Sequence, residues 1–196
     1  MSRLVYLMGA SGAGKDSLLD ALRQNLPPNL MVAHRYITRP ANAGAENHVA
    51  LSEAEFSQRN ERGLFALDWQ AHGCRYAVGI EIDHWMQQGC NVVINGSRAH
   101  LEQAMQRYGQ RLIPVCLLVS ETVLQQRLQQ RGRENSEQIR DRLQRAALYA
   151  NDMPAHCQRL ANDGHLQHTL EGLLQLLAAP SAASFLYPIH SQKVEP

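Results

Sequence analysis

Residues 4–26, LVYLMGASGAGKDSLLDALRQNL, constrain the fold more than any other stretch of the chain. Leu4 to Met8 is an unbroken apolar run, the pattern of a parallel strand buried on both faces. The run ends at Gly9, which opens the spacing Gly9-x4-Gly14-Lys15. Leu18, Leu19, Leu22 and Leu26 then recur at helical spacing until Pro27-Pro28 stops them. Strand, glycine loop and amphipathic helix in this order bring backbone N–H groups and a helix N-terminus to one point, where an anion is favoured. The spacing therefore predicts a phosphate loop made by Gly9, Ala10, Ser11, Gly12, Ala13, Gly14, Lys15, Asp16 and Ser17. Lys15 would reach the β- and γ-oxygens of a bound nucleotide.

One residue breaks the usual pattern, because Asp16 stands where such loops carry serine or threonine. Phosphate-loop enzymes commonly hold Mg²⁺ with that hydroxyl and an aspartate after a second strand. Here the second strand, Val92 to Ile94, leads into Asn95-Gly96-Ser97, which has no carboxylate. Asp16 is accordingly expected on the magnesium side; the alternative is that it only complements the helix dipole.

Two more apolar runs, Cys90–Ser97 and Arg111–Ser120, alternate with helical patterns at 83–88 and 99–108. Such alternation implies right-handed crossovers and an α/β fold, a mostly parallel sheet with helices on both faces. Residues 34–84 interrupt the rhythm with Gly, Asn and aromatic residues and short strand-like pieces at HVALS and LFALDW. They are read as an inserted acceptor-binding lobe. Residues 129–136, QQRGRENS, form a polar break between two helical patterns and suit a short lid. The chain of 196 residues, 44% of them hydrophobic, is expected to form one domain over 1–180 with a poorly ordered tail at 181–196.

Only Lys15 and Lys193 are lysines, so seventeen of the nineteen cations are arginines, whose planar fork matches phosphate oxygens. Val123, Leu124 and Leu128 predict a core face that leaves Arg127 and Arg131 on the other side. Ile139, Leu143 and Ala146 leave Arg142 and Arg145 in the same way. Arg131, Arg133 and Arg142 are the candidates to stabilise charge on a transferring phosphoryl group. Nineteen cations against eighteen acids give a net charge of +1, so neither nucleic acid nor a membrane is an expected partner. Cys74, Cys90, Cys116 and Cys157 form no CxxC pair, and a cytoplasmic location is expected. His165 and His168 lack companion ligands and are read as surface residues.

The order of these pieces resembles the guanylate kinase superfamily from about residue 3 to residue 178. The resemblance rests on GASGAGK, Thr38-Arg39, LSEAEF, HGCRY, the stretch Arg127 to Leu143, and Ala161-Asn162-Asp163. It implies a P-loop kinase fold, with Asn162 and Asp163 on the nucleotide side. Arg39 and Tyr76 keep the superfamily's phosphate-binding residue types, whereas Asn42 and His48 replace an arginine and a tyrosine. Arg35 stands where a serine would read guanine, and Asn95-Gly96-Ser97 replaces the acidic pattern. The segments GKDS, AHRYITR, ENHVALSE, EID and NGSRAHL are similar to the ribose 1,5-bisphosphate phosphokinases of phosphonate degradation, the PhnN family. That resemblance implies transfer of the ATP γ-phosphate to ribose 1,5-bisphosphate, with Mg²⁺. Arg35, Arg39, Arg75, Tyr76 and Arg98 would hold the acceptor's two phosphates, Arg39 and Tyr76 nearest the reacting one. A nucleoside monophosphate kinase and a non-catalytic binding module of guanylate-kinase type remain the alternatives.

Overall fold

The computed structural model describes residues 1–43, 46–132 and 134–178. Arg133 and the tail at 181–196 therefore lie outside the described residues. In chain order the elements are β1 (Leu4–Gly9), α1 (Lys15–Gln24), β2 (Leu30–Val32), β3 (Arg35–Ile37), β4 (Val49–Ala50) and α2 (Glu53–Glu61). They continue with β5 (Phe65–Ala71), β6 (Cys74–Gly79), α3 (Glu81–Gln87), β7 (Asn91–Asn95), α4 (Leu101–Tyr108) and β8 (Leu112–Leu118). The last are α5 (Glu121–Arg131), α6 (Ser136–Asn151), β9 (Gln158–Ala161) and α7 (Leu166–Ala178).

The larger sheet runs β2-β7-β1-β8-β9 with every pair parallel, so both of its faces must be covered. The two-residue period of β1 divides its side chains between two cores. Leu4, Tyr6 and Met8 pack with Val92, Ile94, Ile82 and Leu101 on one face. Val5 and Leu7 pack with Val93, Val115, Leu18, Leu22, Leu170 and Leu173 on the other. Each fully buried leucine contributes about 1.5–3 kcal/mol, which is why a strand without polar interruptions is found here. The chain leaves β1 toward β2 and β7 on one side and later returns to β8 on the other. The loop after β1 thus lies at the point where the strand order reverses, where open α/β sheets bind ligands.

The lobe expected over 34–84 forms the second sheet, β4-β3-β6-β5, with α2 on one side through Phe56, Leu51 and Ala77. HVALS supplies only the two residues of β4, and LFALDW becomes part of β5. Several elements, β6, α2 and β9 among them, carry no signal in the sequence. β6 pairs with β5 across a tight turn in which His72 and Gly73 both take positive φ, 51° and 73°. Ser52 caps α2 by accepting from the Glu55 N–H at 3.1 Å, although the helix buries only Phe56. β9 is an edge strand with three of its four residues exposed, so no apolar run announces it.

Candidate functional site

The phosphate loop closes through the Ala13 N–H, which donates to the Ala10 carbonyl at 3.1 Å. Gly14 at the N-cap of α1 has φ 95°, and a Cβ there would come within 2.5 Å of Asn162 Nδ2. No side chain caps α1, which leaves its first N–H groups for an anion. Lys15 folds back on this loop, its Nζ donating to the carbonyls of Gly9 at 2.7 Å and Ala10 at 3.3 Å. Burial lowers the Lys15 pKa and Arg35 adds to that, while Asp16 and Glu46 pull the other way. Asp16 is half-buried in the first helical turn. Burial and the Glu46 charge push its carboxyl upward, against Lys15 and Arg35.

Asn162 supports the loop from beneath. It is 3% exposed, its Nδ2 donates to the Ala13 carbonyl at 2.7 Å, and its Oδ1 accepts from Thr169 Oγ1 at 3.0 Å. Arg127 donates to the Asn162 carbonyl at 2.7 Å, and Asp163 accepts from the Ser120 N–H at 2.6 Å. Both members of the Asn162-Asp163 pair are thus engaged with protein, holding the loop and the start of α5.

Leu124 and Leu128 of α5 pack on Ile139 of α6, with Leu143 and Ala146 alongside, the apolar faces expected from their spacing. Gly132 ends α5 in the left-handed region, and Asn135 with Gln138 forms a capping box that starts α6. This hairpin carries Arg142 over the phosphate loop, where Nη1 donates to Ser11 Oγ at 3.1 Å. Its Nη2 pairs with Glu134 at 3.1 Å. Arg131, exposed at the end of α5, has no such partner among the described residues.

Across the cleft, Arg35 extends over the rings of Tyr76 and Trp69, 5.0 and 5.9 Å from their centroids, while the two rings stack 5.8 Å apart. This sandwich fixes the guanidinium plane, and Nε donates to Glu46 at 2.6 Å while Nη2 pairs with the second carboxylate oxygen. Arg39 Nη2 lies 3.7 Å from Glu46, and its buried Nε has no partner among the described residues. Burial would raise the Glu46 pKa, but Arg35, then Arg39 and His48, outweigh it and keep the carboxyl below its ordinary value. His48 sets its ring nitrogens against the carbonyls of Glu46 at 2.9 Å and Arg39 at 3.2 Å, tying the two ends of the loop together. Tyr76 is 7% exposed, with no hydrogen bond from its hydroxyl among the described residues. Asn95, at the end of β7, donates from Nδ2 to Glu46 at 3.4 Å. Its position is set by the following turn. Gly96 lies so close to the Tyr6 ring that a Cβ would come within 2.3 Å, and the Tyr6 hydroxyl bonds both Ser97 O and Ser97 N–H at 2.9 and 3.0 Å.

Two arginines expected at the acceptor are occupied elsewhere. Side chains alternate along β6, so Arg75 points away from Tyr76. It packs 4.2 Å over the Phe56 ring and donates to Ser57 Oγ at 2.7 Å, joining β6 to α2. Arg98 lies 4.2 Å over Tyr149 and donates to its carbonyl at 3.0 Å, with Asp152 3.4 Å away, so it ties the turn after β7 to the end of α6. Glu46 enters the sequence only as the first residue of ENHVALSE and is given no role there: PANAGAEN has no periodicity, and nothing local shows that its acid meets Arg35 and Asn95.

Residues 5–147 match the family model described as an AAA domain. A relative from Yersinia pestis named ribose 1,5-bisphosphate phosphokinase PhnN is 63% identical over 184 residues, 94% of this chain and 95% of the relative. A protein of the same name from Dickeya zeae is 63% identical over 179 residues, 91% and 95% of the two chains. Among solved structures, guanylate kinase from Anaplasma phagocytophilum aligns with a TM-score of 0.68 at 17% identity, covering 92% of this chain and 86% of that one. That likeness carries the fold alone, an α/β fold of guanylate-kinase type.

Proposed function

The chain belongs to the ribose 1,5-bisphosphate phosphokinase family, and on that premise we propose that it moves the γ-phosphoryl group of ATP onto the 1-phosphate of ribose 1,5-bisphosphate. The products are ADP and 5-phosphoribosyl 1-diphosphate. The observation that carries this reading at the site is the acceptor wall itself. Two guanidinium groups, Arg35 and Arg39, stand beside the neutral Asn95 and opposite the phosphate loop, a set that suits a sugar with two phosphates.

The attacking atom is a phosphate oxygen, already ionised at neutral pH, so the chain needs no general base. Catalysis comes from positioning and from neutralising charge. Arg39 and Tyr76, whose buried Nε and hydroxyl have no partner among the described residues, orient the reacting phosphate. Arg35 takes the more distant phosphate with the part of its fork that Glu46 leaves available. Lys15 releases its loop carbonyls for the β- and γ-oxygens, and Arg142 follows from Ser11 onto the group in transfer. Mg²⁺ fits Asp16, whose carboxyl is disfavoured as an anion by burial and by Glu46, an effect that a cation beside it reverses. When bound there it would neutralise oxygens of the triphosphate. No described helix is long and apolar enough to cross a membrane.

The test is product identification after incubating the purified chain and Mg·ATP with ribose 1,5-bisphosphate, GMP or ribose 5-phosphate. The bisphosphate should be converted and GMP hardly at all. Faster turnover of GMP than of the bisphosphate overturns the reading in favour of a nucleoside monophosphate kinase.

A further inference from the structure

We propose that Glu46, aimed by Arg35 and seconded by Asn95, reads the ring hydroxyls of the acceptor sugar and sets its choice of ribose; the inference rests on the acceptor named above. The Glu46 side chain retains only 12% of its exposure, yet it is central to the site. Lys15 and Asp16 feel its charge from the phosphate loop, Arg35 and Arg39 pair with it from the lobe, and Asn95 reaches it from the larger sheet.

Hydrogen-bond capacity identifies what can lie against it. An ionised carboxylate only accepts, at about four lone-pair positions. The Arg35 fork takes one edge through two N–H groups, and the contact from Asn95 Nδ2 is long at 3.4 Å. Arg39 Nη2 stands off at 3.7 Å, so the carboxylate keeps positions open to further donors. Asn95 can take a donor too: it is 3% exposed, and its Oδ1 is buried with no partner among the described residues. An amide rotated the other way would set this oxygen against the Glu46 carboxylate, so the empty acceptor is fixed by its neighbour. A buried acceptor left without a donor is costly, and beside a carboxylate that can accept more the deficit of Asn95 ends when a hydroxyl arrives.

A phosphate cannot supply it, because the dianion is itself an acceptor and is repelled by Glu46. Its place is at the arginines. The portion of a sugar bisphosphate between the two phosphates is the ring, and its hydroxyls can both donate and accept. A carboxylate that accepts from a ribose hydroxyl is a recurring way to recognise that sugar. The sandwich of Arg35 on Tyr76 and Trp69 then has a purpose beyond phosphate binding. It holds the guanidinium, and with it the carboxylate edge, in one orientation. Glu46 is therefore a specificity residue, and its loss should change which sugar is chosen more than whether one is bound.

The experiment compares kcat/KM for ribose 1,5-bisphosphate and 2-deoxyribose 1,5-bisphosphate in the parent, Glu46→Gln, Glu46→Ala and Asn95→Leu, each checked for a cooperative melt. The parent should favour ribose by at least about tenfold, the range for one hydrogen bond to a charged group. The Glu46 variants should bring the ratio toward one, because a general disturbance of the lobe slows both sugars alike and leaves the ratio unchanged. Asn95→Leu, which keeps the branched outline of the side chain and removes its polar atoms, should lower the ratio less. A parent ratio near one, or variants that keep the parent ratio, overturns the inference while leaving the kinase activity intact. If the parent turns over neither sugar, the activity proposal fails by itself. The same ratio is then read from calorimetric dissociation constants without ATP, where equal binding of both sugars, or binding of neither, overturns the inference.

Discussion

The two ends of the cleft are built from different materials. The nucleotide end is mostly main chain: a loop held by the Ala13-to-Ala10 hydrogen bond, a helix N-terminus without a side-chain cap, and Lys15 resting on the carbonyls of Gly9 and Ala10. The acceptor end is mostly side chain, with Arg35 from β3, Glu46 from a loop, Tyr76 from β6 and Asn95 from β7. Main-chain groups are supplied by any residue, so the first end needs only glycines at the right spacing, and nine consecutive positions contain it. The second needs particular atoms from distant positions, and Asn95 to Glu46 alone spans 49 residues.

The contrast predicts that the nucleotide end has few residues whose side chains matter, but that these matter most. Lys15→Met removes the only loop side chain expected to reach the transferring group, and kcat should fall by roughly 10³-fold, the upper range for one well-placed donor. The melting temperature should change little, since only two hydrogen bonds from Nζ are lost. A variant with more than a tenth of the parent kcat would mean that the acceptor arginines carry the charge alone.

Arg142→Ala tests whether the α5–α6 hairpin belongs to the nucleotide end. Its contact with Ser11 places it on the loop, and kcat should fall by roughly 10²-fold. Arg131→Ala separates a fixed contact from a closing lid. Loss at both positions means that the two helices move over the nucleotide together, and loss at Arg142 alone means that they do not. Unchanged kinetics in both return these arginines to the solvated surface.

The same contrast explains what could be read from the chain. The parallel sheet, the loop and the apolar faces of α5 and α6 follow from periodicity, because burial on two faces writes itself into consecutive residues. In the lobe, the strand-like HVALS shrinks to the two residues of β4, and α2 buries only one side chain, so it leaves no apolar run to read. Arg75 and Tyr76 stand together in HGCRY, yet adjacency in a strand puts them on opposite faces. Arg98 was grouped by its resemblance to a motif, and only the tertiary fold shows it against Tyr149. Asn162 was read at the nucleotide; what its sequence could not convey is that its amide faces the underside of the loop.

Asn162 therefore gives a third and smaller effect. Asn162→Ala removes the partner of the Ala13 carbonyl and of Thr169 Oγ1 and should lower stability by about 1–3 kcal/mol, the range for buried groups left unpaired. Since the amide touches the loop and not the acceptor wall, KM for ATP should rise while KM for the sugar stays near its parent value. An equal rise in both would erase the distinction between the two ends.

The smallest effect lies at Asp16, where the two ends meet, because a side chain of the nucleotide end feels a carboxylate of the acceptor end. Burial and Glu46 raise the Asp16 pKa in the folded chain above its unfolded value. The folded state then binds this proton more tightly, so the ionised group opposes folding, and stability is lost as pH rises from the unfolded value through the folded one. Asparagine keeps the size and carries no such charge. Without magnesium, Asp16→Asn should melt slightly higher than the parent at neutral pH, and the difference should vanish below the ordinary carboxylate range. With substrates the sign of the benefit reverses: the parent has an anion to offer the metal and the variant does not, so the magnesium concentration for half-maximal rate should rise several-fold. Both measurements are needed, because a helix-start aspartate would lose stability on replacement instead of gaining it, typically by about 0.3–1 kcal/mol. A variant that melts lower at neutral pH and keeps the parent's magnesium dependence assigns Asp16 to the helix and leaves the metal to other groups.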